Sequence, residues 1–321
     1  TRSCILSRGL GDVYKRQLGG RARFLELLRV VPRTRETRMN ESEATPQHDL
    51  LVLDGALAPD EVELQVAGGT AFALTEREPD KATENEDTVA VVPYGADAAV
   101  LVVADGAGGL PAGKTASLTA VTTLAASLQS SREHTTLLRT AILNGIEAAN
   151  EAVIALGNGC ATTMTVITIE GLVARSYQIG DSEALVVGQR GRIRLQTTAH
   201  SPTGFAVEAG FLDQRDALHH EERHLVSNFI GTSDMRIDMG PGVELRPRDT
   251  VLVASDGLTD NVQLDEIIEH VRKGPLPGSA RDVAGLARRR MLRSDTQQPS
   301  KPDDLSLILF RKPDRTRIID E

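Results

Sequence analysis

Short acidic motifs are scattered along most of this chain. They are Asn85-Glu86-Asp87, Asp105-Gly106, Gly180-Asp181-Ser182, Ser255-Asp256-Gly257 and Pro302-Asp303-Asp304. Several of them directly adjoin an apolar run that predicts a β-strand. A carboxylate at the end of a strand keeps a fixed direction while its oxygens stay accessible. Because unpaired carboxylates repel one another at short range, several that converge predict a site for a hard divalent cation such as Mg²⁺ or Mn²⁺.

The sequence around these motifs is also distinctive. Between Phe72 and Arg311, six segments read TENEDTVAVV, VVADGAGGLPAGKTAS, GCATTMTVITI, YQIGDSEALVV, VLVASDGLTDN and KPDDLSLILF. In this order and with these flanking strands, they resemble the metal-dependent protein phosphatases of the 2C type, in particular the bacterial branch. One segment alone would carry little weight, since an Asp-Gly step is ordinary turn chemistry. The resemblance implies a serine/threonine protein phosphatase.

The resemblance assigns metal-binding roles to several of these residues. It implies that Asp105 bridges two metal ions and that the carbonyl of Gly106 supplies a further oxygen. It also implies that Asp256 and Asp303 complete the shell of the second ion. Asp304 stands where many relatives carry Asn, so we expect it to start a strand or to support the ligands. For each of these residues the alternative is a plain loop or turn.

The remaining acidic residues have less direct roles. Glu86 and Asp87 are adjacent, and adjacent strand residues point to opposite faces, so both cannot face the same ion. The resemblance favours Glu86 near the metal-bound water and Asp87 at a metal water or in support. It further implies that Asp181, with Asp256, holds a third and weakly bound ion. The alternatives are a solvated acidic loop and a simple hairpin turn.

The expected reaction follows from such a site. Two cations that share a carboxylate can share a water and lower its pKa, so that hydroxide is available near neutral pH. This hydroxide attacks phosphorus in line. We expect Asp105, Asp256 and Glu86 to carry catalysis. No cysteine nucleophile is required, and Cys160, at the start of an apolar strand, is expected to be a buried core thiol.

Some positions depart from the family pattern. Ala82 stands where many relatives have an Arg that grips the substrate phosphate, so Lys81 or Arg77 is predicted to take that role. Lys81 would act as a point charge rather than as a fork. Glu183 occupies the usual place of an Arg, and Ala107 stands where some relatives have a His that protonates the leaving group. Bacterial members commonly lack that His.

Three functions remain open at this stage. The leading hypothesis is removal of phosphate from phosphoserine or phosphothreonine on proteins, with a serine/threonine kinase or its targets as partners. The second is a catalytically inactive phosphatase-fold module that binds phosphoproteins, which the Ala82 and Glu183 departures favour. The third is an enzyme acting on a small phosphorylated metabolite.

Composition narrows the class of protein. The chain has 321 residues, is 40% hydrophobic, contains no Trp and has 3% aromatic residues, so aliphatic side chains must fill its core. The formal net charge of −9 argues against nucleic acid or an anionic membrane as a partner. No apolar run approaches the roughly 20 residues that a bilayer span needs. Two cysteines, Cys4 and Cys160, form no disulfide framework and predict a reduced, cytoplasmic compartment.

The chain divides into two predicted parts. Residues 1–49 are expected to be a disordered leader, partly non-native, because residues 3–17 lack periodicity and resemble translated adapter sequence. Residues 50–321 are expected to form the metal-dependent phosphatase catalytic domain. The histidine-rich stretch 219–224 is expected to be a solvated helix or flap beside the cleft, not a metal site.

The order of the predicted elements indicates an α+β protein. Strand-like runs alternate with two pairs of helical segments, and short connections such as Glu170-Gly171 predict antiparallel hairpins. The predicted strands include Thr88–Pro93, Ala98–Ala104 and Glu183–Val187, and the segment 201–230 is expected to be irregular. The helical segments are 112–129, 135–156, 264–273 and 280–292. The resemblance implies the specific architecture, a four-layer α-β-β-α sandwich with two stacked antiparallel sheets flanked by helix pairs.

Overall fold

The computed structural model describes residues 50–107, 111–157, 159–293 and 298–313. All of them belong to one unit, Gln47–Glu321. The predicted leader, residues 1–49, lies outside the described residues.

One antiparallel sheet, called here the first sheet, has the strand order β1-β4-β5-β8-β9-β12, and β13 also pairs with β9. Its strands are β1 (Leu51–Leu53), β4 (Thr88–Pro93), β5 (Ala98–Ala104), β8 (Met164–Glu170), β9 (Val173–Ile179), β12 (Asp238–Met239) and β13 (Val243–Glu244). A two-residue turn at Gly171 and Leu172 joins β8 directly to β9, so the predicted short connection lies one residue later in the chain.

The second sheet has the strand order β11-β10-β14-β15-β3-β2, and its pairs are again antiparallel. Its strands are β2 (Asp60–Val66), β3 (Gly69–Glu76), β10 (Glu183–Val187), β11 (Ile193–Gln196), β14 (Thr250–Ala254) and β15 (Leu305–Arg311). A two-stranded ribbon pairs β6 (Gly106–Ala107) with β7 (Ala161–Thr162). The position of β15, between β14 and β3, joins strands that are far apart in the sequence.

Helices cover the outer faces of both sheets. The long helices are α1 (Pro111–Glu133), α2 (Leu138–Ile154), α6 (Leu264–Val271) and α7 (Leu276–Met291), and the short ones are α3 (Pro202–Glu208), α4 (Gln214–Ala217) and α5 (Asp256–Thr259). Helices α1 and α2 pack on the first sheet, and α6 and α7 pack on the second. None of the helices in the described part of the chain has the length and hydropathy of a bilayer span.

Three apolar clusters lie between the four layers. Because strand side chains alternate in direction, Ala71 and Ala73 of β3 face the first sheet, whereas Phe72 and Leu74 face α6 and α7. Tyr177 of β9 packs in the cluster between the first sheet and its helices. The predicted α+β class and the four-layer α-β-β-α sandwich are confirmed.

Most element boundaries agree with the sequence prediction. β4, β5 and β10 have the predicted bounds, and the four long helices differ from prediction by a few residues at their ends. The segment 201–230, predicted to be irregular, contains the two short helices α3 and α4. Strand β2 was not predicted, although Val62, Leu64 and Val66 alternate with polar residues as in a strand with one buried face.

Candidate metal centre

The register of the first sheet places two acidic motifs at the same end. Thr88, the first residue of β4, pairs with Ala104, the last residue of β5. Asp87 directly precedes β4 and Asp105 directly follows β5. The two carboxylates therefore lie at neighbouring strand ends, although they belong to different motifs.

The second sheet contributes its own strand ends. Glu183 of β10 pairs with Ala254 of β14, and Ala254 pairs with Leu307 of β15. Asp181 precedes β10 and Asp256 follows β14, so both lie at the end from which β15 starts. The same end carries the acidic step before β15, at residues 303–304.

Electrostatic interactions show that these carboxylates face one another across the two sheets. Burial raises the pKa of Asp105 well above its usual range. The negative charges of four other acids raise it further, namely Asp87, Asp256, Asp303 and Asp181. Burial, followed by the charge of Asp256, also raises the pKa of Asp181 well above its usual range. The structure therefore brings together five acidic residues that the sequence singled out.

The neighbouring acids are perturbed in the same direction. Burial raises the pKa of Asp87 to about 7, and the charges of Asp304 and Asp256 add to this rise. Burial and the charge of Asp256 raise the pKa of Asp303 to about 8. The pKa of Asp260 is raised to about 6 by burial and by Asp256. The sequence reasoning missed Asp260, although its position one helical turn after Asp256 was a usable signal.

Several carboxylate oxygens in this cluster are buried without a hydrogen-bond partner. They are Oε1 of Glu86 and Oδ1 of Asp87, Asp181 and Asp256. Oδ2 of Asp260 also lacks hydrogen-bond geometry, although it lies 3.0 Å from the ammonium of Lys301. Buried acceptors without partners are costly in a folded protein, and hard divalent cations prefer such oxygens as ligands. The donor set therefore fits Mg²⁺ or Mn²⁺.

The carboxylates are nevertheless not arranged as a finished metal shell. As the side chains stand in the described residues, no group of three or more His, Cys, Asp or Glu could hold a metal ion. Lysine ammonium groups lie among these acids. Lys301 bonds to Asp256 and lies 3.0 Å from Asp260 and 3.3 Å from Asp303. Protein cations thus balance part of the negative charge that the acids share.

A second lysine lies on the other side of the cluster. The ammonium of Lys81 is 2.9 Å from Glu86 and 2.6 Å from Asp304. Asp304 also accepts hydrogen bonds from the backbone N–H groups of Glu78, at 2.8 Å, and of Glu86, at 2.7 Å. Asp304 therefore anchors the loop that carries the first motif, in agreement with the supporting role expected for it. Lys81, the predicted phosphate ligand, is in the site but already paired.

Arg77, the other predicted phosphate ligand, and Glu183, a departure from the family pattern, each have a hydrogen-bond partner. Arg77 donates a hydrogen bond to the carbonyl of Thr83 at 3.2 Å, within the same loop. Burial raises the pKa of Glu183 to about 7, and its nearest hydrogen-bond partner is the amide of Gln196, at 3.5 Å. Glu183 also lines a cavity of about 460 Å³ beside Asp181.

A chain of buried hydroxyls and amides links the two sheets beneath the carboxylates. Ser255 donates to Asp87 over 2.8 Å and accepts from the N–H of Ser306 over 2.9 Å. The hydroxyls of Ser306 and Thr75 are 2.7 Å apart, and Asn85 donates to Thr75 over 2.8 Å. The sequence reasoning gave these residues no role. Their signal was the interruption of apolar runs by a polar residue, as at Ser306.

Asp105 is held by Thr163, the residue directly before β8. Its N–H donates to the hydroxyl of Thr163 over 3.0 Å, and its carbonyl accepts from the N–H of Thr163 over 2.8 Å. The hydroxyl of Thr163 lies 2.8 Å from that of Ser182, next to Asp181. These contacts fix the backbone on both sides of the carboxylate cluster.

Gly106 is required by close packing. A Cβ atom at this position would stand 2.3 Å from the carbonyl oxygen of Gly113 and 2.8 Å from that of Glu86. A Cβ at Gly113 would stand 2.5 Å from the Glu86 carboxylate. The two glycines let α1 approach the loops that carry Glu86 and Asp105.

The histidine-rich stretch does not enter the carboxylate cluster. His219, His220 and His224 are exposed. They line a surface cavity with Arg293, and Lys301 and Pro302 line the same cavity. This agrees with the expected solvated segment beside the cleft.

Comparison with known proteins identifies the family. A family model described as protein phosphatase 2C matches residues 79–287. The Streptococcus pneumoniae protein phosphatase PhpP is 32% identical over 195 residues, which cover 58% of this chain and 78% of that protein. The Listeria monocytogenes serine/threonine phosphatase stp is 27% identical over 203 residues, which cover 59% of this chain and 79% of that protein.

Solved structures share the fold. The Mycobacterium tuberculosis serine/threonine phosphatase PstP/Ppp gives a TM-score of 0.63 at 25% identity and covers 76% of this chain and 98% of its own. The catalytic domain of PstP in complex with two manganese ions gives a TM-score of 0.60 at 25% identity, with the same coverage of both chains.

The fold and the acidic site thus define a class of layered α+β phosphatases. The chain belongs to the protein phosphatase 2C family, because the family model spans more than half of its length. The class of enzyme, a serine/threonine protein phosphatase, follows from this membership. The resemblance seen in the six sequence segments is confirmed.

Proposed function

We propose that this chain hydrolyses phosphoserine and phosphothreonine on proteins with two divalent cations, Mg²⁺ or Mn²⁺, and a third that binds weakly. The observation that carries the proposal is the set of buried carboxylate oxygens without partners, which come from the strand ends of both sheets. The relative solved in complex with two manganese ions supports the same number of ions here.

In this proposal each predicted ligand keeps its role. Asp105 would contact both ions, the carbonyl of Gly106 would supply a further oxygen, and Asp256 and Asp303 would complete the shell of the second ion. Bound cations of this kind lower the pKa of water and neutralise charge on phosphoryl oxygens. The third, weaker position belongs to Asp181 with Asp256.

The protein's own groups prepare this site before any ion binds. Thr163 fixes the backbone of Asp105, and Ser255 orients the carboxylate of Asp87 through a hydrogen bond of 2.8 Å. Glu86 is proposed to orient the attacking water, since its Oε1 is buried without a partner. Groups that are already oriented need little rearrangement during the reaction. They can therefore stabilise the charge of the transition state at a low cost in free energy.

The substrate phosphate is proposed to meet Lys81 or Arg77. Glu86 and Asp304 engage two of the three N–H donors of the Lys81 ammonium, which leaves one donor for a phosphate oxygen. Arg77 keeps guanidinium donors beyond its bond to Thr83 and could hold two phosphate oxygens at once.

The proposed partners are supported by the activity of the relatives, and the proposed compartment is supported by cysteine usage. A phosphoprotein substrate agrees with the named activity of the relatives, and a serine/threonine kinase that phosphorylates the same targets is the proposed counterpart. The cytosol is proposed on the basis of cysteine usage, since Cys160 is a buried free thiol.

The test is hydrolysis of p-nitrophenyl phosphate and of a phosphothreonine peptide with Mn²⁺, with Mg²⁺ and with a chelator. We expect turnover with either metal and none with the chelator. Folded protein that binds the phosphopeptide but shows no metal-dependent turnover would favour the inactive binding module. Turnover of small phosphorylated metabolites with none of the peptide would favour a metabolite enzyme.

A further inference from the structure

Lys301 occupies an unusual place for a lysine. Its ammonium bonds to Asp256 and lies 3.0 Å from Asp260 and 3.3 Å from Asp303. Its side chain is only 21% exposed. Burial alone would lower the pKa of this lysine, but the surrounding carboxylates outweigh burial and raise it. The side chain is therefore a cation in the middle of the acidic cluster.

The backbone of Lys301 is fixed to the segment that carries two of these acids. The side chain of Asn261 accepts from the N–H of Lys301 over 2.7 Å and donates to its carbonyl over 2.8 Å. The same amide donates to the carbonyl of Gly257 over 2.9 Å, and Asn261 is fully buried. Asp256 directly precedes Gly257 and Asp260 directly precedes Asn261, so the ammonium is held within reach of both acids.

We propose that Lys301 is an internal counter-ion that competes with a divalent cation for Asp256 and Asp303. The proposal rests on the proposed function, since Asp256 and Asp303 are ligands of the second ion there. Oδ2 of Asp256 bonds to the ammonium while Oδ1 has no partner. A cation held by Asp256 and Asp303 would lie close to the ammonium, and repulsion between the two positive charges would move the ammonium towards Asp260.

Competition of this kind has two opposite effects. In the metal-free protein the ammonium relieves repulsion among buried carboxylates and stabilises the fold. In the metal-loaded protein the same ammonium has lost part of its partners, so it weakens metal binding. A purely structural ion pair would instead stabilise both forms equally and leave the metal affinity unchanged.

The experiment measures Mn²⁺ binding by isothermal titration calorimetry and thermal unfolding with and without Mn²⁺. Lys301→Met is expected to tighten the Kd for Mn²⁺ roughly tenfold, which corresponds to about 1.4 kcal/mol. The same variant is expected to lower the melting temperature of the metal-free protein by several degrees, and hence to enlarge the Mn²⁺-induced shift.

Two further variants serve as controls. Lys301→Arg keeps the charge and should bind Mn²⁺ about as the wild type does. Lys273→Met removes an exposed lysine that lies 3.8 Å from Glu269, so its Kd should not change. If Lys301→Met does not fold, Lys301→Gln is measured in its place.

The outcomes separate the two proposals. An unchanged or weaker Kd in Lys301→Met, or the same tightening in Lys273→Met, overturns the counter-ion role. A wild type that binds no Mn²⁺ overturns both this role and the proposed function. Tighter Mn²⁺ binding in Lys301→Met by a protein without phosphatase activity supports the counter-ion role and contradicts only the proposed function.

Discussion

At the scale of single residues, the central feature is a group of buried carboxylates with too few partners. Asp105 is the most constrained, because four other acids raise its pKa in addition to burial. The hydrogen bond from Ser255 to Asp87 and the contacts of Lys81 with Asp304 and of Lys301 with Asp256 offset only part of the repulsion among the buried carboxylates. Charge repulsion in the metal-free form is therefore a measurable property of this protein.

Asp105→Asn is expected to abolish metal-dependent hydrolysis, because one substitution weakens the binding of both ions. It should leave the metal-free protein as stable as the wild type or more stable, since it removes a buried charge. Activity assays and thermal unfolding with chelator measure the two effects. Asp282→Asn, at an exposed position on α7, is the matched control and should change neither. Activity of Asp105→Asn within a few-fold of wild type would contradict the assignment of Asp105.

Lys81→Ala is expected to raise KM much more than it lowers kcat, since an ammonium bound to phosphate acts in the ground and transition states alike. Adding Arg at Ala82 should restore binding, because a guanidinium can hold two phosphate oxygens. Steady-state kinetics on a phosphopeptide measure both. If Lys81→Ala leaves the constants unchanged, its pairs with Glu86 and Asp304 are purely structural, and Arg77 becomes the candidate.

At the scale of elements, the site depends on close contact between backbones. A Cβ atom at Gly257, the second residue of α5, would stand 1.9 Å from the carbonyl oxygen of Asp304. Helix α5 therefore touches the start of β15, and this contact sets the position of Asp256 relative to the acids before β15.

Gly257→Ala is expected to destabilise the protein by roughly 2 kcal/mol or more, as overpacking against backbone does. It should also reduce activity in the folded fraction. Gly278→Ala is a matched control on α7, because a Cβ there meets nothing within 4 Å. That control should be neutral or stabilise by up to about 1 kcal/mol, from helix propensity. Equal stability of the two variants in urea denaturation would show that α5 can shift without cost.

The sequence predicted these elements unevenly, for physical reasons. β4 and β5 were predicted to the residue, because continuous apolar runs between polar ends are an unambiguous strand signal. The acids at their ends were found for the same reason. Lys301 and Asn261 were missed, since their roles come from pairing across about forty residues. No local pattern marks a lysine that will lie among carboxylates.

At the scale of the whole molecule, the shared charge makes stability depend on pH. The pKa of Asp87 is raised from 3.8 to about 7, and that of Asp303 from 3.8 to about 8. A carboxyl whose pKa is raised by folding contributes its stability below the unfolded value and loses it as the pH rises through the folded value.

The metal-free protein is therefore expected to become less stable between about pH 4 and pH 8, because over that range the folded protein holds protons that the unfolded chain has released. Saturating Mn²⁺ should flatten this decline. Thermal unfolding followed by circular dichroism, at several pH values with chelator and with Mn²⁺, measures both. Asp87→Asn should reduce the slope in chelator. A melting temperature that stays constant or rises across this range without metal would contradict the expectation.

The layered architecture itself was predictable in class but not in register. The α+β class follows from the order of strands and helices, whereas the facing of Asp87 and Ser255 across two sheets does not. That contact joins residues 168 positions apart. Long-range pairing of this kind is decided by how the two sheets stack, which the alternation of apolar residues alone does not specify.

The position of β15 has a consequence for how the protein is made. β15 fills the middle of the second sheet, between β14 and β3. During synthesis on the ribosome, β3 can pair with β2 at once, but it can pair with β15 only after residues 305–311 have been made. At about 5–20 residues per second, that interval is on the order of ten seconds or more. Throughout it, β3 and β14 each present an unpaired strand edge to other nascent chains, so the synthesis of β15 determines when those edges are covered.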